Sequence, residues 1–293
     1  MTRPPHLPVG AQRLVGDTYC IPSLTNSGYV DGLLVDTGPD ESVYDGLAVE
    51  QIVITHGHAD HFACAARLRD GGATVIASRE DARMVENPEV NIRGMFSWAK
   101  PGDLLVSKLF QGEGCPVDGF VDTWADDRAL AVPLPGHTLG HTGLLTDDGV
   151  LFTGDALYLE ELWERHRLPY AIDPDLVAAS LSTIASLDFE WLVPGHGTPV
   201  ARADAARHIA FHVAQIREIE DLIFGLLAEE RTTEEIISLV NAARGISENP
   251  AQYWLAVTTV KGFLGCLHGR EQIEFFVRGH VGYWRALAGG AAG

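Results

Sequence analysis

The sequence predicts an α/β body over residues 1–200 and a mainly helical extension over residues 201–293. Three observations carry this reading. Short apolar runs of strand length alternate with helix-length segments as far as about residue 200. Glycine and proline punctuate the junctions between them. Beyond that point the texture changes to long amphipathic periodicity, with Ile209, Val213, Ile216, Ile219, Ile223 and Leu227 at helical spacing.

Taken in order, residues 33–36 (within GLLVDTG) form an apolar run closed by a glycine turn, and residues 51–55 (QIVIT) form another that leads directly into His56. Residues 60–70 read as one helix, stopped by Gly71 and Gly72. Residues 74–78 (TVIAS) are a strand rich in β-branched side chains. Residues 91–127 break the alternation. They hold Gly94, Pro101, Gly102, Gly112, Gly114, Pro116 and Gly119, with Met95, Phe96, Trp98, Phe110 and Phe120 scattered between. Such a segment is either a lid or partner surface, or an insertion that folds its aromatics inward.

Strands resume at residues 130–133, 143–146 and 150–153. Residues 175–187 spell a helix, and residues 191–193 a short strand ending at Pro194. One long helix is expected over residues 202–230. Thr232 or Thr233 then caps the next, with Glu234 and Glu235 at its positive end. A third helix spans about residues 252–267, and residues 272–277 and 281–284 can pair as a hairpin.

Composition narrows the function classes. At 46% hydrophobic and 21% charged residues the chain is an ordinary globular sequence, which excludes disorder, collagen and coiled coil. Lys+Arg of 21 against Asp+Glu of 40 leaves a net charge of −19, so nucleic acid and membrane surfaces are poor partners. No stretch approaches the ~18 apolar residues of a membrane helix. Residues 1–10, with Pro4, Pro5 and Pro8, lack the apolar segment of a secretory signal. Cys20, Cys64, Cys115 and Cys266 are far apart and form no C-x-x-C pair, as reduced thiols of a cytoplasmic protein would be.

The chemistry concentrates in Thr55-His56-Gly57-His58-Ala59-Asp60-His61. A lone loop histidine is ordinarily a structural residue. Three histidines and an aspartate between a strand and a helix can instead point toward common centres, and imidazole with carboxylate suits zinc, iron and related ions. Three further candidates each follow an expected strand beside glycine: His137 in PGHT, Asp155 in TGD and His196 in PGHG. Singly each is a weak signal. Together they make seven donors, enough for two adjacent divalent ions sharing one carboxylate.

The order His-x-His-x-Asp-His, then His, Asp and His, resembles the metallo-β-lactamase superfamily over roughly residues 10–200. The resemblance implies a four-layer αββα sandwich with the metal site at one edge of two sheets. It implies His56, His58 and His137 as ligands of a first metal, Asp60, His61 and His196 as ligands of a second, and Asp155 as the bridge. Asp36 resembles the supporting aspartate of the strand and turn below the site. The match is nearer to the hydroxyacylglutathione hydrolase and lactonase branches than to true β-lactamases, which generally lack the bridging aspartate. It is also unlike the flavodiiron oxygen reductases, which usually carry glutamate where this chain has His58.

The activity implied by this resemblance is hydrolysis of an ester, thioester or lactone of a small organic acid. Two divalent ions, Zn2+ or else Fe or Mn, supply hydroxide near neutral pH and polarise the carbonyl. Asp60 can orient the nucleophile or pass a proton to the leaving group. Asp36, Thr138 and His141 are candidates to orient the imidazoles, although His141 also reads as a plain strand residue. Tyr158 matches a tyrosine of metal-dependent lactonases and either touches substrate or packs under its loop. Trp163, His166, Arg167 and Tyr170 lie on the same connection and can line the pocket.

Two other readings are open. A mononuclear iron oxygenase of the persulfide dioxygenase kind resembles the same motif. A binding protein can instead act through residues 231–286, which vaguely resemble a winged-helix module, but Glu229, Glu230, Glu234, Glu235 and Glu248 dilute its positive charge. Shaping the pocket or pairing subunits as a homodimer fits that extension better.

Overall fold

The computed structural model describes residues 7–105 and 112–287. Pro4, Pro5 and Phe110 lie outside those residues. Two sheets stack face to face. The first has seven strands in chain order: β1 (Gln12–Val15), β2 (Thr18–Ile21), β3 (Ser27–Val30), β4 (Leu33–Val35), β5 (Gln51–Val53), β6 (Thr74–Ala77) and β7 (Gly119–Phe120). It is antiparallel through β4, and from β4 onward its pairs are parallel. The second sheet collects β8 (Ala129–Pro133), β9 (Thr142–Thr146), β10 (Val150–Gly154), β11 (Trp191–Pro194) and β12 (Val200–Ala201), in the order β12-β11-β10-β9-β8.

Their inner faces bury Val30, Leu33, Val35, Val53 and Ile76 against Leu144, Val150, Phe152 and Val193. These are the alternate residues of apolar runs, which is why the strands read so plainly in the sequence. The outer face of the first sheet is covered by α1 (Ala59–Phe62), α2 (Ala65–Asp70) and α3 (Arg79–Glu86). After α4 (Glu89–Met95) and α5 (Glu160–His166), the outer face of the second sheet is covered by α6 (Pro174–Ser186) and α7 (Arg202–Leu226). The layers are therefore αββα.

Two helices depart from expectation. The single helix over residues 60–70 is broken into α1 and α2. Thr37 causes the break: its carbonyl takes the Ala63 N–H at 3.1 Å and its hydroxyl oxygen takes the Cys64 N–H at 3.1 Å. Those donors would otherwise continue the helical ladder. The long helix α7 stops at Leu226 rather than residue 230, because Arg231 pairs its backbone with Trp284 at 2.8 and 3.1 Å.

Helix α8 (Thr233–Arg244) has Thr232 as its cap, reciprocally bonded with Glu235. Helix α9 (Pro250–Gly269) is capped by Asn249, and strands β13 (Ile273–Arg278) and β14 (Val281–Ala286) form the expected hairpin. These elements share a core with Tyr158, Trp163 and Leu168. Residues 91–127 fold part of their apolar side chains inward. Met95 and Leu105 are buried and Phe96 packs on Trp254 of α9, whereas Trp98 stands exposed. Among the described residues no helix is long and apolar enough to cross a membrane.

Candidate metal centre

All seven donor candidates converge at one edge of the sandwich. His56, His58, Asp60 and His61 sit between β5 and the end of α1, His137 follows β8, Asp155 follows β10 and His196 follows β11. Loops at neighbouring strand ends deliver them to one place. The Nε2 of His56 lies 3.1 Å from Nδ1 of His58, which lies 2.8 Å from Nε2 of His137. On the other side, His196 Nε2 lies 3.4 Å from Asp60 Oδ2. Asp155 stands between the groups. Its Oδ1 faces His61 Nε2 at 3.4 Å and His196 Nε2 at 3.5 Å, while its Oδ2 faces His137 Nε2 at 3.6 Å.

The outward nitrogens explain the inward ones. His56 Nδ1 meets the Thr55 hydroxyl oxygen at 3.1 Å, His61 Nδ1 meets Asp36 Oδ2 at 2.8 Å, His137 Nδ1 meets the Tyr170 carbonyl at 3.0 Å, and His196 Nδ1 meets the Leu24 carbonyl at 2.7 Å. With the proton held on Nδ1, His56 and His137 turn an Nε2 lone pair toward the centre, while the Nε2 atoms of His61 and His196 face carboxylate oxygens. Two of the inward atoms, His61 Nε2 and Asp155 Oδ1, are buried without any hydrogen-bond partner. Buried polar atoms are rarely left so, and a cation would satisfy both. The backbone also makes room: a Cβ on Gly195 would fall 2.2 Å from Asp155 Oδ1. The donors and the space both fit divalent ions.

Electrostatics divides the cluster in two. Burial, with repulsion from neighbouring imidazoles, holds His56 and His137 well below the usual histidine range, and burial holds His58 at about 4. Burial also opposes charge on His61 and His196. There the surrounding carboxylates win, Asp36 and Asp155 raising His61 to about 10, and Asp155 and Asp60 raising His196 to about 11. Asp155 and Asp60 stay below the ordinary carboxylate range, since the neighbouring histidines outweigh the cost of burial. One end of the centre is thus a set of neutral nitrogens, and the other is rich in charge.

A surrounding layer sets these positions. Asp36, with a left-handed φ of 56°, accepts the Thr55 N–H and hydroxyl at 2.7 Å each, besides holding His61. His141 is no plain strand residue: its Nε2 accepts the Asp155 N–H at 3.0 Å and its ring stacks on His56. Tyr158 donates its hydroxyl to Asp155 Oδ2 at 3.1 Å and faces the cavity.

Sequence reasoning missed two residues. Asp81, buried on α3, accepts from the Gly57 N–H, the Gly140 N–H and the Thr138 hydroxyl, tying the loop of His56 and His58 to the loop of His137. His212, on α7, accepts the Tyr158 N–H at 3.3 Å. Thr138 therefore acts through Asp81. Neither could be found from motif spacing, because each lies inside an ordinary amphipathic helix.

A cavity of about 430 Å³ opens over the donors. His166 and Tyr170 line it, as do Gln252 and Leu255 from α9, whereas Trp163 packs beneath against Phe211 and His212 and Arg167 faces elsewhere.

A sequence profile of the metallo-β-lactamase superfamily matches residues 21–196, well over half of the chain. The chain belongs to the metallo-β-lactamase superfamily. Among superfamily relatives, a probable metallo-hydrolase of Bacillus subtilis is 30% identical over 53% of this chain and 67% of its own length. A hydroxyacylglutathione hydrolase of Shewanella loihica is 30% identical over 64% of this chain and 68% of its own. An N-acyl homoserine lactonase of Rhizobium radiobacter is 27% identical over 49% and 53%. The fold matches that of a metallo-β-lactamase family protein from Thermus thermophilus, with TM-score 0.68 and 21% identity over 92% of this chain and 98% of that one. Membership, with this donor set at the sheet edge, makes the chain a divalent-metal-dependent hydrolase of the superfamily.

Proposed function

We propose that the protein is a dinuclear hydrolase that cleaves an ester, thioester or lactone of a small organic acid. His56, His58 and His137 would hold one divalent ion, Asp60, His61 and His196 the other, and Asp155 both. The observation that carries this is the placement of Asp155, with one carboxylate oxygen toward each group of donors. Zinc is the ion the imidazole-rich donor set suits best, with iron or manganese as other occupants. Bound there, a pair of such ions supplies hydroxide at neutral pH and polarises the carbonyl.

The protein's own groups do the rest. Asp155 sets the separation of the two halves and is itself held by the His141 ring and the Tyr158 hydroxyl. Asp60, on the cavity wall, would take a proton and pass it to the departing oxygen or sulfur. Tyr158, on the cavity wall, would turn its O–H from Asp155 to steady the reacting carbonyl. Relatives named for a glutathione thioester and for a lactone support this substrate range. Residues 201–293 serve the site as its wall, a role supported by Gln252 and Leu255 on the cavity lining.

The test pairs metal analysis with a substrate screen over lactones, thioesters, phosphodiesters and β-lactams, and with oxygen uptake measured on a persulfide. About two zinc or manganese ions per chain, with turnover of the first two classes, is the expected result. A single iron with oxygen uptake on a persulfide would overturn it in favour of the oxygenase chemistry.

A further inference from the structure

The loop between α5 and α6, residues 167–173, is gripped from two sides. On one side it holds the loop of His137. The Tyr170 carbonyl accepts the proton of His137 Nδ1 at 3.0 Å, and the Gly136 carbonyl accepts the N–H groups of Ile172 and Asp173 at 2.9 and 3.1 Å. The Tyr170 ring also stands edge-on to the His137 imidazole, with 5.4 Å between centroids. On the other side α9 holds the same loop. Ala171 donates its N–H to the Oγ1 of the buried Thr259 at 3.2 Å. One turn later along α9, Gly262 brings bare backbone against it: a Cβ there would fall 2.7 Å from the Ile172 carbonyl oxygen and 3.3 Å from that of Ala171. Glycine weakens a helix interior, and this close approach is what its presence permits.

Three successive residues thus join the helical extension to a donor. Tyr170 meets the imidazole, Ala171 meets Thr259, and Ile172 meets both Gly136 and Gly262. A carbonyl oxygen can only accept, so Tyr170 fixes the direction of the His137 ring and keeps its Nε2 free of a proton. The Tyr158 hydroxyl, 3.1 Å from the same Nδ1, donates instead to Asp155. The other outward partners differ in origin: His56, His61 and His196 rest on Thr55, Asp36 and the Leu24 carbonyl, all in loops of the first sheet. We infer that Thr259 and Gly262 are positioning residues. Through residues 170–172 they set the His137 imidazole, and with it the grip of His56, His58 and His137 on their ion. The extension is then part of the metal-holding framework as well as a wall of the cavity. This rests on the two-ion reading for the metal, and on the packing alone for the ring.

The test compares Thr259→Val, Thr259→Ser and Gly262→Ala with Gly265→Ala, whose added methyl meets nothing within 4 Å. Full-length, metal-free proteins are titrated with Zn2+ against a chromophoric chelator. In parallel, the Nδ1–H signal of His137 is followed by NMR on histidine-labelled, metal-free protein, assigned by its absence from His137→Gln. Thr259→Val and Gly262→Ala should weaken one zinc equivalent about 10–100-fold and leave the other within about twofold of the parent. In both, the His137 ring signal should move or disappear. Thr259→Ser, which keeps the hydroxyl, and Gly265→Ala should match the parent in both measurements. Thr259→Val, nearly the same shape as the parent residue, keeps the test decisive should Gly262→Ala fail to fold. Two unchanged equivalents, equal weakening of both, or a serine that does not restore what valine removes overturns the inference and leaves the hydrolase reading intact. A parent that takes up a single zinc sinks the two-ion reading instead, and the ring signal then decides this inference alone.

Discussion

Asp81 offers the sharpest test of how the donors are held in place. It is 1% exposed and accepts three hydrogen bonds, from Gly57 at 3.0 Å, Gly140 at 3.0 Å and Thr138 at 2.5 Å. Asp81→Ala would leave those donors buried and unpaired at about 1–3 kcal/mol each, an additive ceiling of roughly 3–9 kcal/mol that relaxation of the loops would lower. Asp81→Asn is gentler. Its amide oxygen can still serve two donors, but its NH2 opposes the third, a cost of about 2 kcal/mol. For a chain of this size that corresponds to a fall in Tm of about 3 °C. The loops joined by Asp81 carry His56, His58 and His137, so the consequence for metal is asymmetric. One equivalent should bind about 10–100-fold more weakly, and the other should hold near its wild-type affinity. Competition titration against a chromophoric chelator, alongside thermal unfolding of the metal-free protein, reads both quantities. A folded Asp81→Asn protein that keeps both equivalents at full strength would refute the role of this tie.

Three further outcomes are expected. Asp155→Ala should lose most bound metal and nearly all turnover, since the carboxylate facing both donor groups is gone; full metal content by elemental analysis would contradict the bridging arrangement. Tyr158→Phe should fold normally and lower turnover roughly tenfold or more, the worth of one hydrogen bond to a charged group, and unchanged kinetics would assign the hydroxyl to packing. Burial pushes His212 down to about 3, so the folded state keeps it neutral while the unfolded chain takes up a proton near 6.5. Its contribution to stability is therefore complete above about 6.5 and drains away as pH falls toward 3. Metal-free His212→Gln should lose less stability between pH 7 and pH 4 than the parent, as measured by urea unfolding, and equal losses would count against it.

Much of this was legible in the sequence, and the physical reason is locality. Strands buried on both faces spell themselves as apolar runs, and a glycine beside a candidate ligand lets its loop turn sharply, so residues 33–36, 51–55 and 150–153 and the seven converging donor candidates could be read directly. What escaped were effects of distant chain. The break between α1 and α2 depends on acceptors from Thr37, which no helical pattern over residues 60–70 contains. Asp81 and His212 escaped for the same reason: each looks like a polar position on an amphipathic helix until the fold brings Gly140 or Tyr158 against it. Leu255 reaches the cavity from a helix that begins more than fifty residues after the last donor.

That last placement bears on how such a protein can change over generations. Every group that would grip an ion lies between positions 56 and 196, whereas part of the wall that greets a substrate is drawn from the far end of the polypeptide. Substitution at Gln252 or Leu255 of α9 can recut the shape of the entrance while every donor side chain keeps its place in the sequence. New preferences are thus open to descendants of this chain while the reactive heart is inherited unaltered.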